Sequence, residues 1–443
     1  MTSVLRPNWR SMVFRLYDIV LFLAAFILAP YGLLKGLRYG NLWRGFGERF
    51  GLYKSERLQS LQGRKVIWVH AVSVGETRAS IPLLRELRKQ FPDSAIVLSS
   101  LTYTGRMTAD EIEEADLCIF LPYDLSFIVQ HALKQIKPDV VLLVETEIWP
   151  NFIRKLYELN IPVMMVNGRI SDKSFPRYWL IRPLLQPLLK MFTRFCMQSR
   201  QDELRIIRLG AASKQVTITG NLKFDLPAPD FSVAEVTEHK KKYRLPDGVP
   251  VWVAGSTRQG EEELILDAYS TLLNAGLKLI LVLVPRYPDR AKPISELIGK
   301  RNFSCRLRSE IDSSSSQLKT GEILVGDTLG EMLKFYSCAD LVFVGGSLVP
   351  IGGHNILEAS LMNKPVIFGP YMQNFKAISK LLIATGGGRQ VEKGTLAETV
   401  KELMENDDER RDMGALGGKL FAEHSGATVR TVELVGQILG GRV

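Results

Sequence analysis

One stretch in the second half of the chain decides the fold. It begins with the apolar run Leu341–Val344 and continues as Gly345-Gly346-Ser347-Leu348-Val349-Pro350-Ile351-Gly352-Gly353-His354-Asn355-Ile356-Leu357-Glu358. An apolar run followed by glycines and a helical pattern predicts a buried strand, a tight turn and a helix. Glycines let a backbone approach a ligand closely, and the first N–H groups of a helix favour an anion. The stretch therefore predicts a phosphate-binding turn in an α/β domain.

The same residues also fit a purely structural role. Asn355 and Glu358 have the spacing of a capping box. Glycines precede many helices that bind no ligand, so short glycine motifs give false positives. In the functional interpretation Glu358 lies one turn inside the helix and accepts hydrogen bonds from a ribose. This stretch alone leaves both interpretations open.

Composition predicts a folded protein of two or three domains. The chain has 443 residues, of which 46% are apolar and 23% are charged. Its four cysteines are far apart in the sequence, and its five histidines show no metal-ligand spacing. This pattern argues against a zinc site or a disulfide framework and fits a reducing cytoplasm. The cysteines are Cys118, Cys196, Cys305 and Cys338.

Strand-like and helix-like segments alternate along two parts of the chain, which predicts two doubly wound α/β domains. The first domain is predicted over residues 51–225 and the second over residues 250–443. Residues 226–249 contain prolines and Lys240-Lys241-Lys242, and they are predicted to be the linker. Ligands of such sheets bind at the carboxyl ends of the strands, so two linked domains predict a central cleft.

The net charge of +10 is concentrated in two segments. Residues 1–50 hold seven Lys/Arg and two Asp/Glu, and residues 169–194 hold six Lys/Arg and one Asp. The rest of the chain is balanced, and both basic segments are strongly apolar. Nucleic-acid binders usually spread their cations over a polar face. The combination predicts contact with anionic lipid and no nucleic-acid partner.

Residues 1–50 are predicted to anchor the chain to a membrane. Ile19–Leu34 is a run of sixteen residues without a charge, whereas a full span needs about 20 residues. No Ala-x-Ala cleavage site follows, which favours an uncleaved anchor or an interfacial helix over a signal peptide. A buried helix is the alternative. Cations on both sides of the run leave its orientation undecided.

The second basic segment, residues 169–194, combines aromatic side chains, cations and leucines with several prolines. The prolines exclude one long helix. The segment suits a membrane surface or a lipid ligand. A core helix pair with a solvated basic face is the alternative.

In the first domain, acidic residues follow two predicted strands. Ser73, Gly75 and Glu76 come after Val66–His70, and a carboxylate at that end of a sheet can remove a proton from an acceptor hydroxyl. The alternative is an acid that stabilises a helix N-terminus. Glu145 and Glu147 follow the strand Val140–Val144, and alternate residues of an extended chain share a face. They can bind acceptor hydroxyls or cap local structure.

In the second half, cations lie at the predicted strand ends. Gly255-Ser256-Thr257-Arg258-Gln259-Gly260-Glu261 joins a strand to a helix and can hold an anion. Pro285 and Arg286 follow another strand, and Lys223 comes just before the linker. Each cation alone can be a surface residue, but together they predict an acidic ligand. The sequence has no evident Asp-x-Asp metal motif, so N–H groups and these cations are expected to meet the charge of a leaving phosphate.

Taken together, five motifs in one order resemble the bacterial Kdo transferases, where Kdo is 3-deoxy-D-manno-oct-2-ulosonic acid. The resemblance extends from about residue 12 to the C-terminus. The motifs are Ser73–Thr77, Glu145–Asn151, Gly220–Asp225, Val284–Arg286 and Gly345–Glu358.

The resemblance implies a GT-B-type glycosyltransferase at the cytoplasmic face of the inner membrane of Gram-negative bacteria. Such an enzyme moves Kdo from CMP-Kdo to the lipid A precursor in lipopolysaccharide biosynthesis. The reaction inverts the anomeric carbon and requires no bound metal or other cofactor.

The resemblance also implies residue roles. Glu76 is expected to be the general base. Acceptor binding is expected from Ser73, Gly75, Glu145, Glu147 and Arg169. Donor binding is expected from Lys223, Ser256, Thr257, Arg258, Pro285, Arg286, Gly345, Gly346, Ser347, Gly352, Gly353, Asn355 and Glu358. Among these, Arg286 is expected near the cytidine, and Lys223 and Ser256 near the phosphate or the Kdo carboxylate.

Two other classes of protein remain open at this point. A nucleotide-sugar 2-epimerase on the same scaffold would need no lipid contact, and the two basic apolar segments argue against it. A non-catalytic lipid-binding or scaffold protein would have no reason to place Glu76 opposite a phosphate cradle.

Overall fold

The computed structural model describes residues 14, 16–23, 45–225, 229, 231–312 and 316–441. The chain divides into two compact units, one of Met1–Leu226 with Ser425–Val443 and one of Pro227–His424. Each unit is built on a parallel seven-stranded sheet with helices between successive strands. The two doubly wound α/β domains predicted from the sequence are therefore confirmed.

The sheet of the first unit has the strand order β3-β2-β1-β4-β5-β6-β7. Its strands are β1 Val66–His70, β2 Ala95–Ser100, β3 Leu117–Phe120, β4 Val140–Val144, β5 Val163–Gly168, β6 Arg194–Met197 and β7 Val216–Ile218. The order reverses between β1 and β4, which are paired in parallel. The carboxyl ends of these two strands form the switch point at which such sheets bind ligands.

Both faces of this sheet are buried, which explains why its strands are uninterrupted apolar runs. On β1, Trp68 belongs to one hydrophobic cluster, whereas Ile67 and Val69 belong to the cluster on the opposite face. This is the alternation expected of successive side chains on a strand. Helices cover both clusters. Each helix buries one apolar face, as the buried Leu83, Leu84 and Leu87 of the helix Ile81–Gln90 show.

The helices of the first unit connect its strands. They are Phe46–Arg49, Ser55–Leu58, Val74–Ala79, Ile81–Gln90, Tyr103–Asp110, Ser126–Ile136, Pro150–Glu158, Phe175–Leu180, Arg182–Leu189, Arg200–Leu209 and Ala427–Leu439, with 3₁₀ turns at Gln59–Leu61, Ser213–Gln215 and Leu222–Asp225. The proline-rich segment forms two short helices, Phe175–Leu180 and Arg182–Leu189, as its prolines predicted.

The predicted anchor falls largely outside the described residues. Residues 16–23 are helical, and residues 24–44, which contain most of the apolar run, are not among those described. Among the described helices, none combines the length and apolarity needed to cross a membrane. Residues 46–49 were assigned to the juxtamembrane segment, but they belong to the first unit, because Glu48 accepts hydrogen bonds from Arg106 (2.8 Å) and from the backbone N–H of Phe120 (2.9 Å).

The second unit repeats the same architecture. Its sheet has the order β10-β11-β9-β8-β12-β13-β14. The strands are β8 Val251–Thr257, β9 Ile280–Pro285, β10 Ser304–Leu307, β11 Glu322–Val325, β12 Leu341–Val344, β13 Val366–Phe368 and β14 Gly388–Gln390. Here the order reverses between β8 and β12, which pair with Trp252 opposite Leu341. The glycine-rich stretch follows β12 and so lies at this second switch point.

The helices of the second unit are Val233–Lys242, Glu262–Asn274, Ala291–Lys300, Met332–Cys338, Leu357–Leu361, Lys376–Ala384, Leu396–Glu405 and Asp407–His424, with 3₁₀ turns at Pro288–Arg290, Arg308–Glu310 and Gln373–Phe375.

The linker prediction over residues 226–249 is wrong for most of its length. Val233–Lys242 is a helix that begins at a capping box between Ser232 and Glu235. Tyr243 after it is fully buried and stacks on Phe335 with ring centroids 4.5 Å apart. The polar composition of this segment reflects a surface helix of the second unit.

The predicted end of the second domain is also wrong. The last helix, Ala427–Leu439, buries its apolar side chains in a cluster of the first unit. Asp225 fixes the start of this helix, because its carboxylate accepts hydrogen bonds from the backbone N–H groups of Gly426 and Thr428. Contacts over about 200 residues of sequence therefore return the chain to its first unit.

We expect the substitution Asp225→Ala to destabilise the first unit by about 1–3 kcal/mol, because it leaves two N–H groups at a helix start without their acceptor. Urea denaturation followed by circular dichroism measures this change. The exposed Asp247 provides the control, and Asp247→Ala should stay within about 0.5 kcal/mol of the wild type. Equal stabilities of the two variants would contradict the role of Asp225.

Candidate active site

The first unit carries an acidic cluster at the switch point of its sheet. Ser73 follows β1 and caps the helix Val74–Ala79, with its hydroxyl accepting from the backbone N–H of Glu76. In return the Glu76 carboxylate accepts from the N–H of Val72 (2.7 Å) and from the Ser73 hydroxyl (3.1 Å). The capping interpretation of Glu76 is thus correct, and the same bonds hold its half-buried carboxylate in one position. Gly75 is exposed beside it.

Burial raises the pKa of Glu76, and the negative charge of Glu145 raises it further, while the hydrogen bonds from Val72 and Ser73 oppose the rise. A carboxylate with a raised pKa binds a proton more readily than one in water. This property suits a group that removes a proton from a hydroxyl.

Glu145 and Glu147 lie with Glu76, although they do not share a face through strand alternation as predicted. β4 ends at Val144, and Glu145 has a left-handed backbone with φ of 61°. A turn rather than a strand therefore presents both acids. Burial raises the pKa of Glu147 to about 7, with further contributions from the charges of Glu76 and Glu145 and an opposing hydrogen bond from Trp149. At neutral pH this cluster can hold a proton as well as accept one.

Two cations accompany the acids. Burial lowers the pKa of Lys223, the charges of Glu145 and Glu76 raise it, and Arg169 lowers it. Arg169 is held by Thr146, whose hydroxyl accepts from the Arg169 N–H (3.2 Å) and donates to its carbonyl. Lys223 was predicted to bind the donor, and the structure places it in the first unit among acids that were predicted to bind the acceptor.

The second unit carries its own group of candidate residues around the glycine-rich loop after β12. The N–H of Gly345 donates to the carbonyl of Gly255 on β8 (2.8 Å). A Cβ at Gly345 would lie 2.5 Å from the carbonyl oxygen of Ser256, so the two loops can approach only because residue 345 is glycine. Gly346, Gly352 and Gly353 all have positive φ, a conformation that favours glycine.

The backbone N–H groups of the glycine-rich loop donate to a carboxylate of the protein itself. Glu261 accepts hydrogen bonds from the backbone N–H groups of Gly346 (2.6 Å), Ser347 (2.9 Å) and Leu348 (2.8 Å). It also accepts from the N–H of Arg258 (2.9 Å). Burial raises the pKa of this fully buried carboxyl, and the four N–H groups oppose the rise. The N–H groups of Gly346 and Ser347 are thus used by the protein itself in this structure, and the donor-binding roles expected of these two residues stay predictions.

Glu261 is the residue of this site that sequence reasoning missed. It was quoted only as the end of the loop Gly255–Glu261. The available signal was its position beside a second acid, Glu262, at the start of a helix after a strand. One sequence cannot show that such an acid faces another loop and is buried there.

Two further donor-site predictions concern side chains that the structure buries. The Thr257 hydroxyl donates to Glu262 (3.3 Å), and Ser347 donates to the carbonyl of Val344 (2.5 Å) and accepts from the N–H of Gly369 (2.8 Å). Both residues are fully buried. Their side chains shape the two loops and do not line an open site.

The partly exposed side chains of the candidate residues in the second unit include two cations. The Arg258 guanidinium donates to Nε2 of His354 (3.1 Å) and lies 4.7 Å from the ring centroid of Tyr287. The Arg286 guanidinium lies 5.8 Å from the same ring, and the Arg286 N–H donates to the carbonyl of Thr257 (3.0 Å). Burial lowers the pKa of His354 to about 4, helped by the charges of Arg258 and Arg286. Two guanidinium groups with a neutral imidazole form a site for an anion.

The remaining predicted donor residues surround this guanidinium cluster. Ser256 has a left-handed backbone with φ of 56°, and Pro285 is the buried last residue of β9. Asn355 donates to the Glu358 carboxylate (3.2 Å) and accepts from the N–H of Leu357 (3.2 Å). The helix that follows is only five residues long, Leu357–Leu361. Asn355 and Glu358 are thus bonded to each other directly, which differs from the reciprocal bonds of a capping box.

Within the described residues, no group of three or more His, Cys, Asp or Glu side chains is arranged to hold a metal ion.

Comparison with known proteins relates this chain to one enzyme family. Residues 44–226 match the sequence profile of the 3-deoxy-D-manno-octulosonic-acid transferase (kdotransferase) family. A 3-deoxy-D-manno-octulosonic acid transferase of Haemophilus influenzae is 33% identical over 417 residues, which are 92% of this chain and 94% of that protein. The same enzyme of Bordetella pertussis is 31% identical over 414 residues, which are 91% of this chain and 94% of that protein.

A solved structure, the UDP-GlcNAc 2-epimerase of Neisseria meningitidis, shares the fold with a TM-score of 0.55 at 15% identity. The match covers 84% of this chain and all of that one.

The relatives of this chain show that it is an enzyme of the glycosyltransferase class, built on two doubly wound α/β units. The chain belongs to the 3-deoxy-D-manno-octulosonic acid transferase family.

We expect Glu261→Gln to weaken CMP binding about tenfold or more, because an amide NH₂ cannot accept and leaves at least one loop N–H unpaired, at a cost of about 1–3 kcal/mol. Isothermal titration calorimetry with CMP measures the affinity. The exposed Glu296 lies in the same unit, and Glu296→Gln is the matched control. Unchanged affinity in Glu261→Gln would show that the loop keeps its shape without this carboxylate.

Proposed function

We propose that this glycosyltransferase moves Kdo from CMP-Kdo to a hydroxyl group of the lipid A precursor, with inversion at the anomeric carbon and with Glu76 as the general base. The observation that carries the proposal is the position of Glu76 at the first switch point, where two hydrogen bonds orient a carboxylate whose pKa is raised. Family membership supports the identity of the donor and the class of acceptor.

The proposed reaction begins at the acceptor hydroxyl. Glu76 accepts its proton as the hydroxyl oxygen forms a bond to the anomeric carbon of Kdo, and the bond from that carbon to the phosphate oxygen breaks. Glu145, Glu147 and Arg169, with Ser73 and Gly75 beside Glu76, would bind the acceptor. CMP leaves with the electron pair of the broken bond.

The guanidinium groups of Arg258 and Arg286 would stabilise the charge that develops on the leaving phosphate. These cations, together with backbone N–H groups, were expected from the sequence to meet this charge. Glu358 and Asn355 remain the proposed contacts of the ribose. Lys223, whose charge neighbours are Glu145 and Glu76, would attract the carboxylate of Kdo toward the base.

We also propose that the enzyme works at the cytoplasmic face of the inner membrane of a Gram-negative cell. The exposed Trp179 supports this placement, with the Arg182 guanidinium 5.2 Å from its ring centroid. Apolar side chains with neighbouring cations suit an anionic lipid surface. The likeness to the 2-epimerase concerns the fold alone and does not favour that activity.

Glu76→Gln should lower kcat for transfer by about 100-fold to 10,000-fold, because the amide cannot accept the proton. Its affinity for CMP should stay unchanged. Mass spectrometry of the products from CMP-Kdo and a tetra-acylated lipid A precursor measures transfer, and calorimetry measures CMP binding. Wild-type protein that forms no Kdo-containing product would refute the proposed function, whereas near-wild-type transfer by Glu76→Gln would refute only the role of Glu76.

Glu145→Gln should move the acidic limb of the pH profile of kcat/KM to lower pH. Glu76 must be ionised to accept a proton, so activity falls as the pH drops through its pKa. The negative charge of Glu145 raises that pKa, and its removal lowers it. Glu113→Gln, at an exposed position of the same unit, should leave the profile in place. A profile of Glu145→Gln that stays or moves to higher pH would contradict this coupling.

A further inference from the structure

A cavity of about 540 Å³ lies in the first unit beside the acidic cluster. Its walls are largely apolar and aromatic, and they include Phe14, Tyr17, Trp149, Ile181, Leu184 and Leu188. Voids in a packed protein core are rarely larger than a water molecule. A cavity of this size falls instead in the range of small-molecule sites, about 300–1,000 Å³. Its volume is that of a small-molecule site.

The polar end of the cavity identifies the kind of ligand. Thr146 and Glu147 line it together with the apolar residues. Glu147 belongs to the acidic cluster, since its pKa responds to the charges of Glu76 and Glu145. Tyr178 also lines the cavity. Burial raises the pKa of its hydroxyl, and the charge of Glu147 raises it further. A molecule that fills the cavity thus has a hydrocarbon part against the walls and a polar part at the acids.

The N-terminal segment supplies one wall of this cavity and is fixed to the unit by polar bonds. Asp18 accepts from the backbone N–H of Ser126 (3.1 Å) and from the side-chain amide of Asn151 (2.7 Å). The Tyr17 hydroxyl donates to Asp124 (3.1 Å), and the Arg154 guanidinium lies 4.8 Å from the Phe14 ring centroid. Buried polar bonds of this kind define one docked position for the segment.

The surface near the cavity also suits an amphiphile. Ile181 and Leu184 are about half exposed while they line the cavity, so the apolar wall continues to the surface. Arg182 lies between them in sequence and stacks on Trp179. A hydrocarbon chain can enter over such a surface without crossing a polar barrier.

We propose that this cavity binds one acyl chain of the acceptor, and that Phe14 and Tyr17 of the N-terminal segment are part of the acceptor site. The inference rests on the proposed function, because that function supplies an acylated acceptor. It extends that function by giving the chain a defined seat next to the base and by giving the N-terminal segment a role in substrate recognition besides membrane contact.

The test compares two neighbouring tryptophan substitutions in the full-length protein in detergent micelles. Ile181→Trp fills the cavity, whereas Leu180→Trp adds the same side chain at the adjacent, 83% exposed position. Kinetics are measured with a tetra-acylated lipid A precursor and with the same disaccharide stripped of its acyl chains. We expect Ile181→Trp to raise KM for the acylated acceptor about tenfold. This corresponds to about two methylene groups of the acyl chain that the larger side chain keeps out of the cavity. Its KM for the stripped acceptor and both values for Leu180→Trp should match the wild type.

A second pair of variants covers the case in which Ile181→Trp fails to fold, which circular dichroism would reveal. Phe14→Ala removes part of the wall contributed by the N-terminal segment, and Leu16→Ala shortens an exposed side chain two residues away. Phe14→Ala should raise KM for the acylated acceptor alone, and Leu16→Ala should not.

The outcomes separate this inference from the function on which it rests. Wild-type protein that transfers Kdo to neither acceptor refutes the proposed function. Wild-type transfer combined with equal effects of Ile181→Trp on both acceptors, or with no effect, overturns the acyl-chain site. If a phospholipid chain occupies the cavity instead, Ile181→Trp will change the sedimentation of the protein with phospholipid vesicles and leave its KM for the acylated acceptor unchanged. That result also overturns the acyl-chain site.

Discussion

All strands in each sheet run parallel, and the order of each sheet reverses once, between β1 and β4 and between β8 and β12. In a parallel sheet every strand delivers its carboxyl end to the same edge, and a reversal leaves a gap between the helices on the two faces. Each of these four strands is followed by a candidate site residue or loop, although these lie far apart in the sequence. They are Glu76, Glu145, Arg258 and the glycine loop. The rest of the site depends on this single topological constraint.

Each unit has an acid after its first strand, but the two acids make different hydrogen bonds. Glu76 follows the first strand of its unit and bonds to its own loop, at Val72 and Ser73, so that its half-buried carboxylate remains available for chemistry. Glu261 follows the first strand of the second unit and bonds across to the loop after β12. Since a buried carboxylate needs every acceptor site satisfied, Glu261 is committed to structure. In the proposed reaction, arginines bind the substrate anion, because the planar guanidinium group matches the geometry of a phosphate.

Sequence patterns predicted the central strands best. The bounds of β1, β4 and β12 were correct, because strands buried on both faces are uninterrupted apolar runs. The strands β3, β6, β10 and β14 were not predicted. Three of them, β3, β10 and β14, lie at sheet edges, where short strands carry a weaker pattern, whereas β6 is an interior strand of four residues. The positions of Glu76, Glu145 and Arg286 at strand ends followed from the same patterns. The helix Val233–Lys242 was mistaken for a linker because a solvated helix and a linker share a polar composition.

The sequence by itself determined the alternation of strands and helices, the two repeated units and the residues that lie at strand ends, because these features depend on local periodicity and on glycine and proline. Only the tertiary structure decided which polar groups are already paired. Glu261 meets Gly346 across 85 residues, Asp225 meets Thr428 across 203, and Asp18 meets Ser126 across 108. Bonds between such distant positions arise from the packing of whole elements, so no local pattern encodes them. For the same reason the cavity beside Glu147, built from three separate parts of the chain, became visible only in the folded unit.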